Sequence, residues 1–100
     1  MADSARPKFA LGQTVATPGA LEAIQEAGQE PGDFISRHVQ GDWGQVGTAD
    51  AKANDDALVD GSRILSAYKT LKGIKIWVIT EAVDDDGKRA STCLLLPNEY

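Results

Sequence analysis

RILSAYKTLKGIKIWVITEAVDDDGKRASTCLLL, residues 63–96, is the stretch from which the fold class is read. Arg63 to Thr70, Ile74 to Val83 and Ala90 to Leu96 are rich in the β-branched, aromatic and aliphatic residues that suit a pleated surface. Two turn signals divide them, Leu71-Lys72-Gly73 and Asp84-Asp85-Asp86-Gly87-Lys88, and short glycine-containing links of this kind close hairpins. In the middle segment Ile74, Ile76, Val78 and Thr80 fall on one face, and Lys75, Trp77, Ile79 and Glu81 on the other. The pattern predicts a C-terminal three-stranded antiparallel meander with helices packed on its more apolar side.

Upstream the period changes. Thr17 can cap a helix, Pro18 fits its first position, and Ala20, Leu21, Ala23, Ile24 and Ala27 form an apolar stripe that ends at Gly28. After the turn Glu30-Pro31-Gly32-Asp33, Asp33 is a candidate cap for a short helix through Phe34, Ile35, His38 and Val39. Gly41-Asp42-Trp43-Gly44 ends that helix abruptly. Thr48 to Asp60 reads as a third helix, with Thr48 as cap, Ala49, Ala53, Ala57 and Leu58 along one side, and Gly61 at the stop. Phe9 to Ala16 alternates weakly and suggests a strand at a sheet edge, while residues 1–8 read as a flexible tail. The expected architecture is a single α+β domain over residues 9–100, with two or three short helices packed on an antiparallel sheet.

The 100 residues include 15 acidic and 10 basic side chains, for a net charge of −5, and 42% are hydrophobic. That is ordinary globular composition with room for one core. Scattered basic residues argue against direct contact with a nucleic acid or an anionic membrane, both of which reward clustered Lys and Arg. A protein partner with a basic surface fits the charge better, such as a nucleic-acid-binding complex. Residues 1–8 lack the apolar core of a secretory signal, and no apolar run approaches a membrane span, which places the expectation in the cytoplasm.

Candidate chemistry is sparse. His38 is the only histidine and precedes Asp42 by four residues, the pairing a small hydrolase would use, with Ser36, Ser62, Ser66 or Cys93 as nucleophile. The alternative has His38 packed at a helix end and bonded to turn carbonyls or to Asp42. The lone Cys93 lies in an apolar run and reads as a small buried hydrophobe. One His and one Cys provide no metal-ligand spacing, and Asp84-Asp85-Asp86 lacks the alternate-residue oxygens of a calcium loop. The expectation is no cofactor, no metal and no enzymatic activity.

Partner-binding candidates are easier to name. Trp43, on its turn with Asp42, would serve either as an interface anchor or as the lid of a small core. Trp77, on the half-polar face of the central strand, marks an interface if no helix covers that face. Asp50, Asp55, Asp56 and Asp60 recur through the third helix, and a wholly acidic face would imitate a nucleic-acid backbone. An uncovered Trp77 face or a bare sheet edge would favour a symmetric dimer.

Thr17-Pro18-Gly19-Ala20-Leu21, Arg37-His38 with Gly41-Asp42-Trp43-Gly44, Arg63 to Tyr68, Trp77 to Ala82, and Leu95-Leu96-Pro97 with Glu99-Tyr100 together resemble a family of short uncharacterised bacterial proteins. That family is associated with plasmids, integrative elements and genomic islands. The resemblance covers residues 9 to 100 and implies a mobile or accessory genetic setting, in which small acidic proteins act as inhibitors of host defence complexes. The family pattern has a shorter link after Thr80-Glu81-Ala82 with an Arg soon following, a place that Arg89 would fill here. Members are sometimes labelled restriction–modification subunits, but a chain this short has no methyltransferase domain and no cofactor-binding glycine loop.

Overall fold

The computed structural model describes residues 7–100 and is an α+β fold. Its elements are β1 (Gln13–Ala16), α1 (Pro18–Glu26), α2 (Pro31–Val39), α3 (Thr48–Asp60), β2 (Ile64–Lys69), β3 (Lys75–Thr80) and β4 (Ser91–Leu95), followed by a 3₁₀ turn, Pro97–Glu99. The strands form one four-stranded sheet in the order β1-β4-β3-β2. β2 and β3 pair antiparallel, as do β3 and β4, whereas β1 lies parallel to β4, with Gln13 beside Ser91. The sheet is therefore mixed, not purely antiparallel. The chain runs from β1 into α1 and returns to β4 only after all three helices, and that long crossover permits the parallel alignment.

Helix starts follow local chemistry. The Thr17 hydroxyl accepts from the Ala20 N–H at 3.1 Å, and Pro18 opens α1. Glu30, not Asp33, is the N-cap residue of α2; Asp33 sits one turn in and its carboxylate accepts the Glu30 N–H at 2.9 Å. Gly47, not Thr48, precedes α3, and Gly61 closes it in the left-handed conformation. The side of α3 turned inward also differs from the expected stripe. Asn54 and Ala57 are buried, while Ala49 and Ala53 are exposed. The N-terminal strand is shorter than its alternation suggests, because Phe9 leaves the sheet to pack on His38 and Trp43. Of the expected tail, residues 1–6 lie outside the described residues, and the Lys8 N–H donates to the Val39 carbonyl at 2.8 Å.

One sheet face is dry. Ile76, Val78, Leu94 and Tyr68 pack with Ala20 and Ile24 of α1 and Phe34 of α2. Burying aliphatic and aromatic side chains of this size contributes about 1.5–3 kcal/mol each. A second cluster, Trp43, Ala57 and Ile64 with Phe9, Val46, Ala51 and Leu58, joins α3 to the end of the same face.

The two sheet edges are treated differently. On β2, Asn54 acts as a substitute peptide: the Leu65 N–H donates to its Oδ1 at 3.1 Å, and its Nδ2 donates to the Leu65 carbonyl at 2.7 Å. Next along the edge, the Ala67 N–H donates to the Trp43 carbonyl at 3.1 Å, and the Gln45 N–H donates to the Ala67 carbonyl at 2.6 Å. Gly44 makes this approach possible: its φ is +75°, and a Cβ there would stand 2.0 Å from the Ala67 oxygen. β1 carries the other edge and is protected mainly by being four residues long.

Replacing Asn54 by Leu should cost about 2 kcal/mol, because two buried backbone groups of Leu65 lose their partners. Chemical denaturation measures that loss, and light scattering should show association through the newly bare β2 edge. A variant as stable and as monodisperse as the wild type would remove Asn54 from this role.

Candidate interaction surface

Gly41-Asp42-Trp43-Gly44 turns inward. The Trp43 ring is buried against Phe9 and His38, and its Nε1–H donates to Asp55 Oδ1 at 3.0 Å. Of the two readings of Trp43, the structure has the lid of a small core: the indole is buried and braces α3 against the turn. Asp42 does not meet His38 either. Its carboxylate accepts from Arg37 Nε at 2.7 Å and from the Gly44 N–H at 3.1 Å, and the Arg37 bond holds it below the usual carboxylate range. Arg37 lies 4.5 Å over the Tyr68 ring. The Tyr68 hydroxyl donates to the Asp42 carbonyl at 2.5 Å, and burial pushes that phenol up to about 12.

His38 is fully buried within a chain of hydroxyls. Its Nε2 lies 2.8 Å from Thr80 Oγ1 and its Nδ1 2.6 Å from Ser66 Oγ. Thr80 Oγ1 lies 2.7 Å from Thr92 Oγ1, and the Thr92 hydroxyl donates to the Leu11 carbonyl at 2.8 Å. A carbonyl only accepts, so the proton order is determined from that end. Thr92 uses its proton on Leu11, so Thr80 must donate to Thr92 and accept from Nε2–H. Nδ1 is then the bare nitrogen, and Ser66 donates to it. Burial, with the positive charge of Arg89 as a second cause, pushes the imidazole down to about 4. His38 is therefore neutral and fully occupied, and its Ser66 neighbour is as deeply buried. The pairing with Asp42 that a hydrolase would need is absent.

The carboxylates of α3 do not form one face. At 3.6 residues per turn, Asp55 and Asp56 diverge by about 100° around the helix. Asp55 serves the Trp43 indole, Asp56 pairs with Lys52 at 3.3 Å, and Asp60 accepts the Ser62 N–H at 2.8 Å. Asp50 lines a shallow cleft of about 240 Å³ between α3 and β2, with Ala53, Asn54, Arg63 and Leu65.

The second face of the sheet carries neither core cluster. Strand register places Val15, Cys93, Ile79 and Leu65 in one row there, and Leu95, Trp77 and Ala67 in the next. Trp77 is half-buried, its ring 5.8 Å from that of Tyr100, which remains 67% exposed. Arg63 Nη1 donates to the Tyr100 hydroxyl at 2.6 Å. Cys93 is half-buried on this face, where the sequence reading had it buried, and burial pushes its thiol up. Ala67, Ile79 and Leu95 of these rows are buried, so what reaches the surface is Val15, half-buried Leu65, Cys93 and Trp77, the Tyr100 ring and the Arg63 guanidinium.

The roles of two residues, Asn54 and Arg89, escaped the sequence reading, which had Arg89 only at a position the resemblance marks. Asn54 carried no signal beyond a polar residue in a helix. Arg89, beside the acidic hairpin tip, is buried and donates to the carbonyls of Ala57, Ser62 and Glu81 at 2.7–3.0 Å while lying 5.7 Å over Phe9. Among the described residues no three His, Cys, Asp or Glu side chains are grouped to hold a metal ion, and no helix is long and apolar enough to cross a membrane. No family model, curated protein or solved structure matches the chain.

Since the folded His38 resists a proton that the unfolded chain accepts near pH 6.5, stability should fall as pH drops from 6.5 to about 4 and be insensitive to this group below that. The full effect is about 3 kcal/mol. His38→Gln, which does not titrate, should be less stable at pH 7.5, with the gap to wild type narrowing toward pH 4 in thermal melts. A gap independent of pH would refute the assignment, as would imidazole ¹⁵N shifts showing a proton on Nδ1.

Proposed function

We propose that this chain is a small protein-interaction module that engages its partner through the uncovered face of the sheet, around Trp77, Tyr100 and Arg63. The observation that supports this reading is the exposed Tyr100 ring, held between half-buried Trp77 and the Arg63 guanidinium. Interface centres are enriched in Trp, Tyr and Arg, whose truncation costs most at such centres. A helix-covered sheet face needs none of this, and a merely solvated face would be polar throughout. The resemblance to proteins of plasmids and genomic islands supports an accessory genetic setting for such a module.

A second reading keeps the acidic character in view. Asp50, Asp56 and Asp60 remain exposed, and a basic groove in a nucleic-acid-binding defence complex would accept them. The two readings separate by salt, since exposed charges are screened beyond the Debye length, which shrinks from about 8 Å at physiological ionic strength to about 3 Å at 1 M.

Tagged wild type, Val15→Glu, Tyr100→Ala and an Asp50→Asn/Asp56→Asn/Asp60→Asn variant should be used to capture proteins from a lysate of the source cells at low and high salt. Under the sheet-face reading the captured partner persists at high salt, survives the triple Asn variant and is lost with Val15→Glu or Tyr100→Ala. Loss only with the Asn variant and at high salt would transfer the function to the acidic residues. Equal capture by all four proteins would overturn both readings.

A further inference from the structure

The two ends of the sheet carry opposite chemistry. At one end, the β2–β3 link runs Lys69-Thr70-Leu71-Lys72-Gly73-Ile74-Lys75. Its backbone is tied down throughout: Thr70 N–H donates to the Ile74 carbonyl at 2.8 Å, Gly73 N–H to the Thr70 carbonyl at 2.9 Å, and Leu71 N–H to the Gln29 side chain at 2.9 Å. The Thr70 hydroxyl accepts from the Lys72 and Ile74 N–H groups at 3.3 and 3.1 Å. A turn held this firmly needs nothing from its side chains, yet Leu71 stands 80% exposed with Ile74 half-exposed beside it. Lys69 lies directly across from Lys75, and like charges in that position repel. None of the three lysines is in an ion pair among the described residues. The tip therefore displays aliphatic area inside an uncompensated positive collar, and what suits it is a partner with aliphatic groups set among carboxylates.

The other end of the same molecule has that composition. Val59, in the last turn of α3, is 90% exposed, and Val83 is partly exposed where its N–H donates to the Gly61 carbonyl at 2.9 Å. Asp56, Asp60, Asp84, Asp85 and Asp86 are exposed in the same segments. β2 starts at this end and finishes at the lysine tip, so its six residues separate the two patches by about 20 Å. The patches face away from each other and cannot meet within one molecule.

We propose that the lysine-collared tip, with Leu71 at its apex, docks onto the Val59–Val83 end of a second copy of this chain. The two surfaces differ, so the contact is heterologous and propagates head to tail into short open oligomers or a closed ring. Each patch is small, and the association belongs with weak, transient contacts rather than permanent dimers. It uses neither Trp77 nor Tyr100 and stands apart from the sheet-face reading.

Sedimentation velocity on the whole chain tests it. At low salt the weight-average sedimentation coefficient should rise as concentration approaches about 1 mM, the range of a contact worth roughly 4 kcal/mol. It should return to the monomer value in about 0.5 M salt. Lys69→Glu/Lys72→Glu/Lys75→Glu and Asp84→Lys/Asp85→Lys/Asp86→Lys should each stay monomeric, and mixing the two should restore association, because each supplies the end the other has lost. Leu71→Ser, at an exposed position, should weaken association at least threefold while leaving the melting temperature unchanged. A wild type that is monomeric throughout, or association that survives both charge reversals, would overturn the proposal. So would a monomeric wild type that binds phosphatidylglycerol–phosphatidylcholine vesicles through Leu71, which would give the tip to a lipid surface.

Discussion

A carbonyl that can only accept determines the polarity of the whole interior. From the Leu11 oxygen, protons are committed in sequence through Thr92, Thr80, His38 and Ser66, so one line of hydrogen bonds crosses β4, β3, α2 and β2. Each hydroxyl on this line lies on the dry face of the sheet, where an unpaired polar atom would cost heavily. The chain of bonds leaves no donor proton unused between its ends. Among the described residues no buried side-chain nitrogen or oxygen lacks a partner. This sets the register of three strands relative to a helix that apolar packing alone would position less sharply.

The same constraint explains which parts of the molecule were legible beforehand. The α1 start, the two C-terminal hairpin links and the α+β class rest on local signals: a Thr-Pro cap, glycine turns, alternation in β3. Those signals act within a few residues and survive in any context. What was not legible depends on partners far along the chain. Asp42 could not be assigned to Arg37 rather than His38 by spacing, since both lie within reach of one helix end. Trp43 could not be placed inside without knowing that α3 would bring Asp55 to its nitrogen. Asn54 interrupts an otherwise alanine-based stripe, and its purpose exists only once β2 lies alongside. The carboxylates of α3 looked like a row in one dimension and are spread by the turn of the helix in three.

Residues that the sequence places far apart converge in space. Arg37, Asp42 and Tyr68 interlock at the turn; His38, Ser66 and Thr80 share the proton line; Arg63, Trp77 and Tyr100 meet on the open face. Thr17 donates to Glu99 at 2.5 Å, and Glu99 also accepts the Leu96 N–H at 2.8 Å. Gly19 leaves room for that carboxylate, since a Cβ there would come within 2.5 Å of it. Two of these groups are fold determinants. Arg37 and Asp42 are half-exposed but spent on each other, whereas the cluster of Arg63, Trp77 and Tyr100 leaves aromatic surface free, and for that reason it, not the histidine, is where a role beyond folding is sought.

The contact between Thr17 and Glu99 joins residues 82 apart, and that of Leu11 with Thr92 joins residues 81 apart. The hairpins β2–β3 and β3–β4 close links of five and ten residues and lose little chain entropy in doing so, whereas β1 must find β4 across nearly the whole chain. Contacts of such separation raise the contact order of the fold, which slows folding, and they fall on β1 and the helix that hangs from it rather than on the C-terminal hairpins.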